Sequence, residues 1–265
     1  MPPSTGLRAR VRAELTAEIK DEARRQLAES GASGLSLRAI TRALGMASSG
    51  IYRYFPSRDD LLTALIVDAY DSLGTVAEEA DARCTRDDFG SRWAAVGRAI
   101  RGWARSHPQE YALVYGSPVP GYRAPQDTIG PASRVTSVLA GIVNEASREG
   151  ALRVGLTPPG LPPLPAHVAA EARRLAEVAF PGTPDETVIR AIEAWTQLFG
   201  MVSFELFGHL EGVITDPAAI FDRALLEMGT HVGLPAPRTA APSSSPATGG
   251  AGSANDEGEP GWYLV

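Results

Sequence analysis

Cysteine is nearly missing from these 265 residues. Cys84 stands alone, so no intrachain disulfide can form, which suits a reducing cytoplasm. No apolar run approaches the roughly 18 residues that a membrane-spanning helix needs. The opening stretch, Met1 to Arg8, has no apolar segment behind its first charge to act as a secretory signal. The chain therefore reads as a soluble, cytoplasmic protein without membrane contact. Enzyme machinery is missing as well: there is no Gly-x-x-x-x-Gly-Lys-Ser/Thr loop, no His-Glu-x-x-His helix and no Gly-x-Ser-x-Gly elbow. His107, His167, His209 and His231 lie far apart, so no metal centre and no cofactor are expected. Glu78, Glu79 and Asp81 cluster, but at a helix end they read as solvated charge, and Cys84 has no nearby base to activate it. His107 and His209 read as capping or surface residues, with polar contact to a ligand as the alternative.

The charge that is present is unevenly placed. Net charge is −6, yet residues 1–62 hold ten Lys/Arg against seven Asp/Glu, and the remainder fifteen against twenty-four. A small basic head on an acidic body is the pattern expected where one end meets a phosphate backbone. Hydrophobic residues at 44% and charged residues at 21% match ordinary globular usage.

Apolar periodicity is helical, and no strand alternation stands out. Val11, Leu15, Ile19, Ala23 and Leu27 recur at every fourth position until Gly31 and Gly34 intervene. A short second helix follows Ser36, a fitting N-cap, and ends at Gly45. A third is expected from Ala47 to Tyr54, where Pro56 stops it, and Ser57 with Asp60 opens a fourth that runs to about Ala80. Further helices are expected at 88–106, 108–115, 128–149, 166–180, 185–211 and 216–232, separated by proline-rich breaks. From Pro235 onward the Ala/Pro/Ser/Gly composition predicts a disordered tail at 235–265. The division is a head at 1–62, a helical body at 63–234 and that tail.

Two short helices joined by a glycine turn form a helix-turn-helix, whose second helix enters a major groove. Leu37, Ile40, Leu44, Ile51 and Phe55 are spaced to make its small core. Ala47, Ser48, Ser49, Tyr52 and Arg53 then face outward, with Ser36 and Arg38 at the start of the bracing helix and Arg58 at the start of the fourth. Hydroxyl and guanidinium groups there can grip bases or phosphates. As residue types alone, they would also suit the solvated face of a helical hairpin.

Within the run from Leu35 to Leu62, the residues Gly45, Tyr52, Tyr54-Phe55, Arg58 and Leu61-Leu62 resemble the DNA-binding signature of the TetR family. The resemblance implies an all-α fold, an N-terminal three-helix helix-turn-helix domain on a C-terminal helical domain for ligand binding and dimerisation. It also implies a homodimer on a near-palindromic double-stranded operator, repression, and release by a small molecule. Arg38, Ser48, Ser49, Tyr52 and Arg53 would face the groove, Tyr54 and Arg58 would contact phosphates, and Ile51 and Phe55 would be structural. The alternative is a helical interaction or ligand-binding module without sequence-specific DNA binding. The segment from Ala194 to Leu206 is also similar to a Trp, then His-Gly, element of one class of TetR C-terminal domains. Phe199 stands where that pattern has His, so no role of that His carries over.

In the body, Ile189, Ile192, Trp195, Phe199, Val202, Leu206 and Leu210 form an apolar stripe that suits a core or a partner helix. With Ile220, Phe221, Leu225 and Met228, helices 185–211 and 216–232 would make the dimer interface expected of the family. Trp93, Trp103, Tyr111, Tyr115, Tyr122, Trp195 and Phe199 gather in the middle helices, as core or as the lining of a pocket for a small apolar or aromatic ligand.

Overall fold

The computed structural model describes residues 4–153 and 162–238, and the regular elements among them are all helical. The helices are α1 (Ser4–Ser30), α2 (Leu37–Ala43), α3 (Arg58–Ala82), α4 (Phe89–Ser106), α5 (Pro108–Tyr115), α6 (Ile129–Arg148), α7 (Ala166–Ala179), α8 (Asp185–Leu206) and α9 (Pro217–Val232). Side-chain caps set several starts: the Ser36, Ser57, Asp88 and Asp216 side chains accept the backbone N–H three residues on. Gly45, at φ 62, turns the chain out of α2 in a conformation that an L side chain resists.

Two cores form. Ile19, Leu27, Leu37, Ile40, Ile51 and Phe55 close the head, and Trp93, Ile100, Tyr111, Ile142, Leu198 and Leu225 sit at the centre of the body. Helix α3 belongs to both, giving Leu61, Leu62, Leu65 and Ile66 to the head and Ala69, Leu73 and Ala77 to the body. The head core thus runs past residue 62 to Ile66, because one continuous helix links the two units. The body is tied by a buried ion cluster. Arg92, 1% exposed, donates to both Asp81 oxygens at 2.7 and 3.2 Å, to Glu145 at 2.6 Å and to the Arg86 carbonyl at 3.0 Å, joining α3, α4 and α6.

Two sequence expectations change. The segment after Ala47 is a turn and a short 3-10 helix at Ile51–Arg53 rather than an α-helix, closed by i to i+3 bonds such as Gly50 N–H to Ala47 O. Ser48, Ser49 and Gly50 are weak helix formers, and Pro56 follows at once. Pro235–Arg238, assigned to the tail by composition, is packed: the Arg238 N–H donates to Asp88 and its guanidinium pairs with Asp87 at 2.8 Å. The glycine at 90 lets this strap lie against the start of α4. The remainder of the expected tail lies outside the described residues.

Candidate nucleic-acid interface

The recognition segment is anchored from beneath. Ile51 and Phe55 are buried against Leu37 and Ile40. That leaves Arg38, Ala47, Ser48, Ser49, Tyr52 and Arg53 exposed on one side, with Ser36 and Tyr54 half-buried at its margins. Ser36 is engaged as a cap: its Oγ accepts the Ala39 N–H at 3.4 Å and its own N–H donates to Gln26. The side chains of Arg38, Ser48, Ser49, Tyr52 and Arg53 have no hydrogen-bond or ion-pair partner among the described residues.

Arg42 was missed by sequence reasoning. It lies one turn beyond Arg38 on α2, is exposed, and is equally free among the described residues. The i, i+4 spacing was the available signal.

Arg58, expected at a phosphate, is engaged within the head. Its Nη2 donates to the Ala32 carbonyl at 2.7 Å, its Nε to the Leu35 carbonyl at 3.2 Å, and its Nη1 meets Asp59 at 3.4 Å. The Ala32 oxygen also accepts the Leu35 N–H at 3.4 Å, so the guanidinium braces the loop between α1 and α2 by bridging its two ends. Tyr54 keeps its place at the rim, with the Arg12 guanidinium 5.4 Å from its ring centroid.

The head is also wired to the body. Asp68 on α3 accepts from Lys20 at 2.8 Å and Arg24 at 2.9 Å, Arg24 reaches Glu110 of α5 at 3.7 Å, and Tyr122 shares a 2.9 Å hydrogen bond with Thr63.

The aromatic candidates of the body separate into three groups. Trp103, Tyr111, Tyr115 and Phe199 build core: the Trp103 N–H donates to Ser72, the Tyr111 hydroxyl meets Ser203 and the Phe199 carbonyl, and Tyr115 lies 4.3 Å from Phe199. Burial pushes the Tyr115 phenol up. Tyr122 lines a different hollow, of about 620 Å³, between α3, α5 and α6 at the joint with the head. Trp93 and Trp195 alone among these candidates line a cavity of about 490 Å³ between α4, α6, α7 and α8. That cavity is bounded by Leu139, Val143, Asn144, Phe180 and Ile192 among others, and among the described residues no charged side chain lines it. Asn144 is engaged with Ala179 and Thr183. The buried indole N–H groups of Trp93 and Trp195 have no acceptor among the described residues.

On the outer side of α8 and α9, Phe204 is 56% exposed and Ile220 45%. They border an apolar hollow of about 340 Å³ with Gly200, Met201, Leu210 and Ile214. Phe221, Leu225 and Met228, expected at a partner interface, are instead buried within their own chain because α9 packs them onto α4 and α8.

A helix-turn-helix with exposed, unengaged donors, carried on a helical body with a cavity, is the arrangement of a DNA-binding regulator. Comparison with known proteins agrees. Residues 19–65 match the model of bacterial regulatory proteins of the tetR family, and residues 93–228 match the tetracyclin repressor-like C-terminal domain. The chain is 41% identical to the HTH-type transcriptional regulators Mb1846 of Mycobacterium bovis and Rv1816 of Mycobacterium tuberculosis, over 82% of this chain and 92% of each relative. The crystal structure of SCO4313, described as a regulatory protein, superposes with a TM-score of 0.69 at 34% identity, covering 86% of this chain and 98% of that one. A tetR-family regulatory protein from Rhodococcus RHA1, 15% identical with a TM-score of 0.54 over 83% of this chain and 97% of its own, shares the fold. The chain belongs to the TetR family: it is a DNA-binding transcriptional regulator and not an enzyme. Among the described residues no helix is long and apolar enough to cross a membrane.

Proposed function

We propose that this regulator is a cytoplasmic homodimeric repressor that blocks a near-palindromic operator and leaves it when a small uncharged molecule fills the cavity between α4, α6, α7 and α8. The observation that carries the DNA half of this reading is the group of exposed, unengaged donors at Arg38, Ser48, Ser49, Tyr52 and Arg53 above a buried Ile51 and Phe55. Two such faces must stand about 34–36 Å apart to read successive major grooves, which requires a twofold dimer. The outer faces of α8 and α9 supply an apolar surface for it, where Gly200 has nothing packed over it and Phe204 and Ile220 stand out.

The ligand half rests on the cavity. Its size lies within the range of small-molecule sites, and its uncharged lining favours an apolar or aromatic molecule. The Ser133 and Thr136 hydroxyls donate within their own helix. The exposed Ser137 hydroxyl has no hydrogen-bond partner among the described residues and joins the buried indole N–H groups of Trp93 and Trp195 as a donor for an acceptor oxygen on the ligand. Binding there changes DNA affinity only if the ligand prefers one spacing of the heads over another.

The test is binding to duplexes from the protein's own promoter region at two salt concentrations, beside an Arg38→Ala/Tyr52→Ala variant. Specific, salt-weakened binding that the variant loses supports the reading. Equal binding by both proteins removes the assigned recognition face.

A further inference from the structure

The first turns of α1 serve no core. Gly6 to Glu14 are exposed throughout, and the inward stripe begins only at Leu15 and Ile19. Val11, which fits the apolar period, is 44% exposed. Helix from Ser4 to Glu14, roughly 15 Å at 1.5 Å per residue, therefore stands clear of the head. It carries Arg8, Arg10 and Arg12, and no acid precedes Glu14.

This projecting helix is fastened at one point. Arg12 Nη2 donates to the Arg53 carbonyl at 3.0 Å, and the same guanidinium lies over the Tyr54 ring. Arg53 and Tyr54 close the recognition turn, so the face of α1 that bears Arg12 borders the groove-facing surface. Arg8 lies on that same face one turn, about 5.4 Å, farther out. Arg8 has no hydrogen-bond or ion-pair partner among the described residues, and Arg10 has only an exposed contact of 3.7 Å with Glu14. An isolated helix with little packing is marginal in water, and three nearby like charges weaken it further. An anionic partner would offset both effects.

We propose that the N-terminal turns of α1 form a second DNA contact: an arginine arm in which Arg12 fixes the direction and Arg8, one turn farther out on the same face, meets a phosphate flanking each half-site. The occupant is duplex DNA, on two grounds. The surface is continuous with the recognition turn through Arg12, and its charge complements a phosphate backbone. Phosphate contacts add affinity without reading sequence, so the arm lengthens the footprint and leaves base preference to Arg38 and Tyr52. This inference rests on DNA binding by the helix-turn-helix face.

The test uses the full-length protein with a 30-bp duplex of arbitrary sequence and a promoter duplex, titrated between 50 and 200 mM salt. Wild type is compared with Arg8→Ala, Arg8→Lys and, as a charge control on the body away from α8 and α9, Arg148→Ala. The alanine variant is expected to lower the slope of log affinity against log salt by about 0.9 for each phosphate contact removed. The loss should be equal on both duplexes, the lysine variant should restore it, and the melting temperature should not move. An unchanged slope, or an equal loss in Arg148→Ala, overturns the arm. Failure of the wild type to bind any duplex would overturn the DNA reading itself, whereas wild-type binding with an unchanged slope in the alanine variant overturns the arm alone.

Discussion

Arg38 and Arg92 carry the same guanidinium and meet opposite fates. Arg92 is buried in the body with Asp81, Glu145 and the Arg86 carbonyl around it, while Arg38 stands on the head with no partner among the described residues. Arg92 is fully engaged within the fold, whereas Arg38, like Arg42 and Arg53 beside it, has no side-chain partner among the described residues. In a regulator, that contrast separates what holds the fold from what awaits DNA. Arg58 sharpens it: on the head, at a position the family resemblance assigns to phosphate, it behaves like Arg92, its donors turned to the carbonyls of Ala32 and Leu35.

The largest effect should come from the satisfied side. Arg92→Met leaves Asp81 and Glu145 with the exposed Arg86 as their remaining cation, so the cost should approach but not reach the about 3–5 kcal/mol of a fully broken buried pair. Thermal melting is expected to fall by many degrees, with the DNA affinity of the folded fraction unchanged. The effect should depend on pH. Burial alone would raise Asp81 and Glu145, but hydrogen bonds and charge from Arg92 and Arg86 together hold both below their ordinary values. A carboxylate with a depressed folded pKa stabilises above its unfolded pKa and loses that contribution as pH falls through the folded one. Wild type should therefore lose stability on acidification below about pH 4 more steeply than Arg92→Met; parallel curves would show that the cluster is not linked to proton uptake.

Arg38→Ala should do the reverse. Loss of a base or phosphate contact costs about 1–3 kcal/mol of DNA affinity, and nothing in the fold depends on the side chain. Operator binding should weaken by one to two orders of magnitude at an unchanged melting temperature. A fall in melting temperature with intact DNA binding would put Arg38 on the structural side of the comparison.

Arg58→Ala tests the intermediate case. If its guanidinium serves the loop carbonyls, the head should lose about 1–2 kcal/mol of stability while the salt slope of DNA binding stays as in wild type. A slope lower by about one with unchanged stability would return Arg58 to the phosphate contact that its motif position suggested.

These cases also mark what the sequence could convey. Ser36, Gly45, Pro56 and Ser57 act through local chemistry, as a cap, a positive φ and a break, so the helix-turn-helix was legible from neighbouring residues. Pro108 opens α5 and Pro217 opens α9 for the same reason. Val11 was not legible, since a four-residue period says which side a residue faces and not whether anything covers that side. Arg58 was not legible because its acceptors lie more than twenty positions away, on backbone that no side-chain pattern advertises. The aromatic residues show the limit most clearly. Trp93 and Trp103 lie on one helix and both read as core or pocket, and only packing sends the Trp103 N–H to Ser72 and leaves the Trp93 N–H without an acceptor.

The smallest effect lies at the cavity, where the body resembles the head in holding a donor back. Trp195→Phe keeps a ring on α8 and removes the N–H. Fluorenone and fluorene, matched in shape but differing in one carbonyl, are suitable probes, with binding read by fluorescence and by melting shift. One hydrogen bond contributes about 0.5–1.5 kcal/mol net, so wild type should favour fluorenone about threefold to tenfold. The variant should bind both equally, with DNA affinity in the absence of probe unaltered. If wild type fails to prefer the carbonyl compound, the indole donors play no part in recognition, and the cavity would select by shape and apolar contact alone. If the preference exists but persists in Trp195→Phe, the donor is Ser137 or Trp93, and two variants decide between them. Ser137→Ala should abolish it at little cost in stability, or Trp93→Phe at a greater one, because Trp93 packs against Gly229 of α9 within the central core.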